Sequence, residues 1–183
     1  MTGSIQTGRT VALRPATADD EPFLRRLYAT TREHELSLVA WTDDQKTAFV
    51  EMQFAAQHRH YHEHYHDTSY DVILLDAEPV GRLYVARWTS EICIVDISLL
   101  PQFCNRGLGT TLLRELQDEA RAAGKPLRIH VERFNPALRL YQRFGFTQIE
   151  DKGVYLFLEW NDRGSGSGLR GPGDQTQSSG PDQ

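Results

Sequence analysis

The sequence predicts a single α/β domain of the α+β kind, with a mixed, mostly antiparallel central sheet flanked by about four helices. Segments with strand character and segments of helical periodicity are interspersed along the chain. Two pairs of neighbouring strand segments are joined by short connections typical of hairpins, at 76–79 and near 152–153. The chain has 183 residues, of which 39% are hydrophobic, and this suits one domain with one packed core.

The predicted elements follow the order β α α β β β α β α β β. Their approximate bounds are strand 10–14, helices 18–31 and 43–65, strands 71–75, 80–88 and 91–100, a helix from 108 that closes at Gly124, strand 127–132, helix 136–144, and strands 146–149 and 154–160. Thr17 and Thr42 each begin a pattern typical of a capping box, T-x-x-D and T-x-x-Q. The strand at 91–100 is apolar on both faces, which indicates a central position in the sheet.

The two ends of the chain differ in composition from the domain between them. Residues 1–8 are polar and are expected to be flexible. Residues 161–183 consist mainly of Gly, Ser, Gln, Asp and Pro, and they offer too little apolar surface to offset the entropy of ordering. The predicted organisation is therefore a flexible N-terminus at 1–8, a domain at 9–160 and a disordered tail at 161–183.

Composition argues against several function classes. No apolar run approaches the roughly 20 residues that span a bilayer, and the N-terminus lacks the apolar region of a signal peptide. The two cysteines, Cys93 and Cys104, indicate no disulfide framework. The net charge of −5 and the lack of a basic stripe argue against nucleic-acid binding. The expectation is a cytoplasmic protein that binds neither membranes nor nucleic acid.

Charge is unevenly distributed along the chain. Residues 1–100 carry nine Lys/Arg against fifteen Asp/Glu, whereas residues 101–143 carry eight against four. This difference fits either a chance scatter over a solvated surface or a functional division. In the second interpretation the basic segment meets a polyanion and the acidic half meets a cation.

A glycine-bearing loop connects the predicted central strand to an amphipathic helix. Arg106, Gly107 and Gly109 lie where the first turn of a helix leaves backbone N–H groups unpaired and where the helix dipole favours anions. Glycine also lets the backbone approach a phosphate without a Cβ in the way. The loop lacks the Gly-Lys-Ser/Thr of a P-loop and the third glycine of the dinucleotide fingerprint. It predicts either a pyrophosphate site or a tight structural turn.

A second segment lies one helix and one strand further on. Asn135 and Pro136 are typical of a helix start, because asparagine caps the first turn and proline suits the first helical position. Tyr141 lies within this helix, and Gly145 closes it.

The two segments together resemble a known pair of motifs. Residues 101–110 resemble motif A, and residues 135–146 resemble motif B, of the GNAT superfamily of acetyl-CoA-dependent N-acetyltransferases. The order of elements over 10–160 is also similar to that of the superfamily. Cys104 is a departure, because motif A usually has Gln or Arg there, and weaker cofactor binding would be its effect. A nucleophilic Cys104 is an alternative, although no histidine lies near it in sequence.

The resemblance implies a GNAT-like fold in which acetyl-CoA lies between two splayed parallel strands, the fourth and fifth, at 91–100 and 127–132. A bulge in the fourth strand frees backbone groups that bind the pantetheine arm and polarise the thioester carbonyl. No metal is expected. The implied cofactor contacts are Ile97, Ser98, Leu99, Asn105, Arg106, Gly107, Leu108, Gly109, Thr110 and Asn135.

The resemblance also implies the roles of three side chains in catalysis. The acceptor amine attacks the thioester directly, and Tyr141 is the expected general acid for the leaving thiolate. Packing under the sheet is the alternative for Tyr141, and a plain helix cap is the alternative for Asn135. Asp96 and Glu132 are the candidate general bases, with Asp96 favoured, and catalysis through water alone is a further alternative.

The implied function is transfer of an acetyl group from acetyl-CoA to a primary amine of a small molecule or a protein. Glu33 and Glu35, in the connection between the first two helices, would attract a cationic acceptor. A homodimer is compatible with the resemblance. The alternative function is a catalytically silent module that binds acyl-CoA or regulates another protein.

Five of the seven histidines lie between positions 58 and 66. On a helix, His58, His62 and His66 would share one face at a spacing that suits metal binding. The H-E-x-x-H pattern of metalloprotease helices is missing, so a solvated helix end without a metal site is expected.

Overall fold

A computed structural model describes residues 2–5 and 9–162 of the chain. The predicted tail, apart from its first two residues, and residues 1 and 6–8 lie outside the described part. The strands are β1 (Thr2–Ile5), β2 (Arg9–Pro15), β3 (Thr68–Leu75), β4 (Glu78–Arg87), β5 (Ile92–Leu99), β6 (Leu127–Glu132), β7 (Thr147–Asp151) and β8 (Tyr155–Trp160). The α-helices are α1 (Glu21–Ser37), α2 (Asp43–His64), α3 (Leu108–Ala123) and α4 (Leu138–Arg143).

The described strands form one sheet in the order β1-β2-β3-β4-β5-β6-β8-β7. Among the strands that the structure describes, only β5 and β6 pair in parallel, and every other neighbouring pair is antiparallel. The predicted α/β fold with a mostly antiparallel sheet and one parallel pair is confirmed. The predicted fourth and fifth strands are β5 and β6, because β1 precedes the first predicted strand. β1 lies in a segment where the sequence predicted flexible chain, and it pairs through backbone groups with β2.

The helices form a layer on each face of the sheet. Neighbouring residues of β3 point to opposite layers, because side chains alternate along a strand. Ile73 belongs to the larger core, which contains the buried residues of α3 and α4. Val72 belongs to the smaller core, where it packs with buried residues of α1 and α2. The two layers are called the α3 side and the α2 side below.

The helix starts follow from local hydrogen bonding. At the start of α2, Thr42 Oγ1 accepts from Gln45 N (3.3 Å), and Gln45 Oε1 accepts from Thr42 N (2.9 Å). This confirms the predicted capping box. At the short 3-10 turn before α1, the Asp20 carboxylate accepts from Thr17 N at 2.8 Å. The helix α1 continues to Ser37, beyond the predicted end at 31.

The parallel pairing between β5 and β6 is short. It joins only 92–94 to 127–129. Beyond these residues β5 stays paired with β4 as far as Leu99, and β6 stays paired with β8 as far as Glu132. A gap therefore opens between β5 and β6 towards the C-terminal ends of both strands, and this end of the sheet carries the candidate site.

Among the described residues, no helix has both the length and the apolar character needed to cross a bilayer.

Candidate active site

A β-bulge at Val95 sets the orientation of every later residue of β5. Tyr84 pairs with Asp96 while Val85 pairs with Ile94, so Val95 has no partner on β4. Before the bulge, Ile94 belongs to the core of the α3 side, and after it Ile97 packs against the same core. Asp96 and Ser98 consequently face the α2 side.

The bulged segment turns backbone groups into the gap. Leu100 N donates to Val80 O of β4 at 2.9 Å, so by alternation the backbone of Ser98 also faces β4. The backbone N–H and C=O of Ile97 and Leu99 then face away from β4, into the gap where β6 no longer pairs. Ser98 was predicted to offer free backbone groups together with its neighbours. The structure directs its carbonyl towards Gly81 of β4 instead, because successive residues of a strand alternate.

The loop before α3 presents a run of unpaired backbone N–H groups. Within the described part of the chain, no hydrogen bond engages the N–H groups of residues 105–110, and the first paired one is Thr111 N with Gly107 O. Asn105 (φ 59°) and Gly107 (φ 85°) both have left-handed backbone conformations. At Gly107 a Cβ would meet nothing within 4 Å, so the left-handed backbone, rather than crowding, favours glycine there. This geometry suits an anion with several oxygen acceptors.

The two predicted motif segments lie next to each other. At Gly109, near the start of α3, a Cβ would lie 3.1 Å from the Leu140 side chain, so α4 packs closely against α3. Leu140 precedes Tyr141, whose ring lies 5.6 Å from the Phe146 ring. The structure therefore packs the helix that carries Tyr141 against the start of α3.

The environment of Tyr141 keeps its hydroxyl protonated. The residue is 3% exposed. Burial raises the pKa of the phenol well above its usual range, and the negative charge of Asp96 raises it further. Tyr141 can therefore donate a hydrogen bond over the whole neutral pH range.

Asp96 is the centre of a hydrogen-bonded cluster on the α2 side. Its Oδ2 accepts from Tyr61 Oη (2.9 Å) and Arg82 Nη2 (2.7 Å), and its Oδ1 accepts from Ser98 Oγ (2.8 Å). Arg82 Nη2 also donates to Gln57 Oε1 at 2.8 Å. Both carboxylate oxygens are thus engaged within the protein. The cluster, called the Arg82 network below, consists of Gln57, Tyr61, Arg82, Asp96 and Ser98.

Glu132 lies at the end of β6 with a less engaged carboxylate. Its side chain is 45% exposed, and its nearest cation is Arg32 of α1, with Nη1 4.0 Å from Glu132 Oε1. Val131 belongs to the core of the α3 side, so by alternation Glu132 faces the α2 side, as Asp96 does. The two predicted bases therefore lie on the same side of the sheet, on opposite strands of the gap.

Asn135 forms a local turn rather than the first residue of a long helix. Its Oδ1 accepts from Ala137 N at 2.8 Å, and α4 begins only at Leu138. The alternative role of Asn135 as the cap of this helix is wrong, because the residue that precedes α4 is Ala137 and no side chain caps the helix; the amide Nδ2 of Asn135 is still available as a donor.

The two glutamates of the α1–α2 region do not form one acidic patch. Glu35 pairs with Arg32, whose Nη1 lies 2.9 Å from Glu35 Oε1. Glu33 does not take part in this ion pair. It lines a cavity between α1 and α2, which has a volume of about 480 Å³ and is also lined by Lys46 and Arg26. Their attraction for a cationic acceptor stays a prediction.

The histidine cluster occupies the C-terminal half of α2. The His58 and His62 rings lie 4.5 Å apart, and His62 stacks on Tyr70 at 4.3 Å. Because α2 ends at His64, His66 does not share their helical face. In the part of the chain that the structure describes, no three His, Cys, Asp or Glu side chains are arranged to hold a metal ion.

Sequence reasoning missed three members of the Arg82 network. Arg82 lies in the middle of a predicted strand and was not singled out by any sequence signal, yet it is 3% exposed. Gln57 and Tyr61 are one helical turn apart on α2. The four-residue spacing between these two polar side chains was the one sequence feature that placed them on the same face of α2. It does not reveal which residue of the sheet they contact.

Comparison with known proteins identifies the family. A family model described as the acetyltransferase (GNAT) family matches residues 12–146. The chain belongs to this family. Among curated proteins, none shows significant sequence similarity to the chain.

Solved structures of the GNAT family share the fold. The PaiA N-acetyltransferase from Thermoplasma acidophilum in complex with coenzyme A is 14% identical over 82% of this chain and 98% of that one, with a TM-score of 0.63. A GNAT family acetyltransferase from Elizabethkingia anophelis with acetyl-CoA bound is 18% identical over 82% and 97%, with a TM-score of 0.53. RimJ from Mycobacterium smegmatis in complex with CoA-disulfide is 19% identical over 84% and 82%, with a TM-score of 0.56.

Proposed function

We propose that this GNAT protein transfers the acetyl group of acetyl-CoA to a primary amine by direct attack. The observation that carries the proposal is one end of the sheet, where a strand gap opens beside the unpaired N–H groups of 105–110 and the helix that carries Tyr141 packs against the same loop-to-helix start. Relatives with this fold have been crystallised with coenzyme A or acetyl-CoA. The family membership and this geometry together favour the same cofactor here.

The residues present fit acetyl-CoA, which supplies an activated thioester. The N–H groups of 105–110 would hold the pyrophosphate, because unpaired donors at a helix start bind anions without desolvating a side chain. Arg106, Leu108 and Thr110 contribute backbone groups to this run, and Arg106 also adds positive charge. The backbone of Ile97 and Leu99 would pair with the pantetheine arm, and the Asn135 amide is an additional donor.

Tyr141 is the proposed acid for the leaving thiolate. Its raised pKa keeps the hydroxyl protonated before the reaction, as an acid requires. The same shift makes full proton transfer to a thiolate, whose ordinary pKa is about 8.5, unfavourable in the free enzyme. Tyr141 is therefore proposed to stabilise the thiolate chiefly by donating a hydrogen bond to the sulfur.

Glu132 is the proposed base, which reverses the preference drawn from the sequence. A base must accept a proton from the amine, either directly or through one water. Both oxygens of Asp96 already accept hydrogen bonds within the protein. Glu132 faces the same side of the sheet and has an exposed carboxylate with one distant ion-pair partner.

Release of CoA from acetyl-CoA, followed with a thiol reagent across a panel of amines and peptides, tests the proposal. The Cys104→Ser background removes the exposed protein thiol, while Cys93 is buried. We expect amine-dependent release that falls about 100-fold in kcat for Tyr141→Phe, because positioned acids contribute roughly 10²–10⁴. Tyr65→Phe is the matched control, since Tyr65 stacks on Trp88 away from the gap. Acetyl-CoA binding without release to any acceptor would instead indicate a silent binding module.

A further inference from the structure

The Arg82 network joins the α2 helix to the bulged strand. Gln57 and Tyr61, one turn apart on α2, bond to Arg82 and Asp96 respectively. Arg82 and Asp96 in turn bond to each other across β4 and β5. A single, partly buried cluster therefore connects one helix and two strands at the site where β5 leaves β6.

The geometry of the Arg82 network is unfavourable for stabilising the folded state. Arg82 is 3% exposed, and its Nε has no hydrogen-bond partner among the described residues. A buried donor without a partner destabilises the fold, and buried ion pairs are often no more stabilising than apolar residues of similar volume. A cluster with an unpaired buried donor, placed beside the gap, points to a geometric role rather than a stabilising one.

The network acts on the two residues that flank Ile97. Asp96 and Ser98 point to the α2 side and bond to each other, with Asp96 Oδ1 2.8 Å from Ser98 Oγ. Arg82 lies opposite Ser98 on β4 and bonds to Asp96. The peptide groups on both sides of Ile97 are therefore fixed by side chains on the α2 side, while the N–H of Ile97 faces the gap.

We propose that Arg82 is a positioning residue of the reaction: with Gln57 and Tyr61, it holds Asp96 so that the N–H of Ile97 stays directed into the gap. This inference rests on the proposed function, because a thioester carbonyl is the acceptor that this N–H would polarise. Arg82 itself touches no reacting atom. A misdirection of about 1 Å at such a donor lowers rates roughly 100-fold.

A paired apolar substitution separates positioning from simple structural support. Arg82→Met together with Asp96→Leu replaces the ion pair with side chains of similar volume and leaves no charge unpaired. A purely structural network would lose little activity in this variant once it folds. Arg87→Met is the matched control, because Arg87 also lies on β4 in an ion pair, with Glu119 of α3, away from the gap.

The first measurement needs no acceptor amine. Acetyl-CoA labelled with ¹³C at the carbonyl is bound to the full-length protein, and its carbonyl stretching band is recorded by infrared difference spectroscopy. We expect the band to shift to lower frequency on binding to the wild type and to Arg87→Met, and to return to the frequency of free acetyl-CoA in the paired variant. A band at the same frequency in the paired variant and the wild type would overturn the proposal.

The second measurement is the steady-state kinetics of the reaction with an amine that the wild type acetylates. We expect kcat to fall about 100-fold in the paired variant and about tenfold in Tyr61→Phe, with the Kd for acetyl-CoA changed less than threefold. Tyr61→Phe removes a single hydroxyl, so this variant can replace the paired variant as the test of positioning if the paired variant does not fold. Unchanged kcat and an unchanged carbonyl band in Tyr61→Phe would also overturn the proposal.

The outcomes distinguish this proposal from the proposed function. If the wild type shifts the carbonyl band but acetylates no amine, the positioning role stands and the transferase activity fails. If the wild type binds acetyl-CoA without a band shift, the positioning role fails even where an amine is acetylated. If acetyl-CoA does not bind, both proposals fail.

Discussion

The two sides of the gap between β5 and β6 are built from different kinds of groups. On the α3 side, the candidate cofactor cradle consists of backbone N–H groups from six consecutive residues, 105–110. On the α2 side, the polar cluster consists of side chains that are far apart in sequence, from Gln57 to Ser98. A contiguous backbone motif depends on local conformation, whereas a side-chain cluster depends on the whole fold.

This difference has a consequence for mutation. The backbone cradle is sensitive only where a side chain would change φ and ψ, so most of its positions tolerate substitution. The side-chain cluster is sensitive at each member, because removal of one partner leaves another buried group without its hydrogen bond. Four predictions compare residues on the two sides of the gap, from the largest expected effect to the smallest.

The largest effect is expected at the left-handed glycine of the cradle. Gly107→Val forces a β-branched residue to φ 85° and redirects the neighbouring N–H groups. Loss of one or two charge-assisted hydrogen bonds, about 3 kcal/mol in all, would raise the Kd for CoA roughly 100-fold. Calorimetric titration with CoA measures this. Gly153→Val, at φ 78° in the β7–β8 turn, carries similar strain and should leave the Kd unchanged. Equal weakening of binding by both variants would contradict a cradle at Gly107.

The next effect is expected at the exposed carboxylate on the α2 side. Glu132→Gln keeps the shape of the side chain and removes the proposed base, so kcat/KM for the amine should fall at least tenfold. The KM for acetyl-CoA should not change, because Glu132 lies outside the cradle. Glu150→Gln, at an exposed ion pair with Lys152 on the edge strand, is the control. Full activity of Glu132→Gln at all pH values would mean that water alone takes the proton.

A smaller effect concerns acid stability of the α2 side. Hydrogen bonds from Arg14 at 2.6 and 2.7 Å, and from Thr17, hold the pKa of the buried Asp20 well below its usual range. A depressed pKa contributes stability above the unfolded value, near 3.9, and this contribution is lost as the pH falls towards the folded value. Asp20→Asn should therefore cost about 1 kcal/mol at pH 7 and progressively less below about pH 4.

Thermal unfolding of Asp20→Asn and of its exposed neighbour variant Asp19→Asn, between pH 3 and pH 7, measures this difference. Only Asp20→Asn should show a destabilisation that shrinks with acid. The start of α3 on the other side has no acidic cap, so no similar dependence is expected there. A destabilisation that is constant with pH would mean that Asp20 acts through packing alone.

The smallest effect is a difference between the two thiols. Burial raises the pKa of the Cys93 thiol to about 12, and the nearby Glu91 charge contributes. Cys104 is exposed next to the cradle. A thiol reagent should therefore titrate Cys104 in the native protein and Cys93 only after unfolding. Saturating acetyl-CoA, whose sulfur is blocked as a thioester, should slow the reaction of Cys104 by about threefold or more. Rapid reaction of Cys93 in the native state would contradict its burial.

The sequence predicted the elements whose signals are local. Thr42 and Gln45 form the capping box that begins α2, as expected. Gly107 precedes α3 and Gly124 follows it, both with left-handed backbone conformations. These features depend on residues a few positions apart, so the chain itself carries the information.

Features that depend on distant partners were not predictable in the same way. β1 forms by pairing with β2, and its composition carries no strand pattern. Arg82 is buried because Gln57, Tyr61 and Asp96 happen to surround it, and these positions are up to 39 residues apart. No local sequence pattern predicts contacts between side chains that are this far apart along the chain.

The bulge at Val95 gives β5 two alternation phases, one on each side of a single unpaired residue. Deletion of Val95 would leave Ile94 next to Asp96, with both still paired to Val85 and Tyr84, so the side chains of β5 would keep their faces. A slip that paired Val95 with Tyr84 would instead turn Asp96 and Ser98 into the apolar layer beneath α3, and Ile97 and Leu99 towards α2. The faces of the site residues therefore depend on the pairing register of β5, and a slip of one position would disturb the site more than the loss of the unpaired residue.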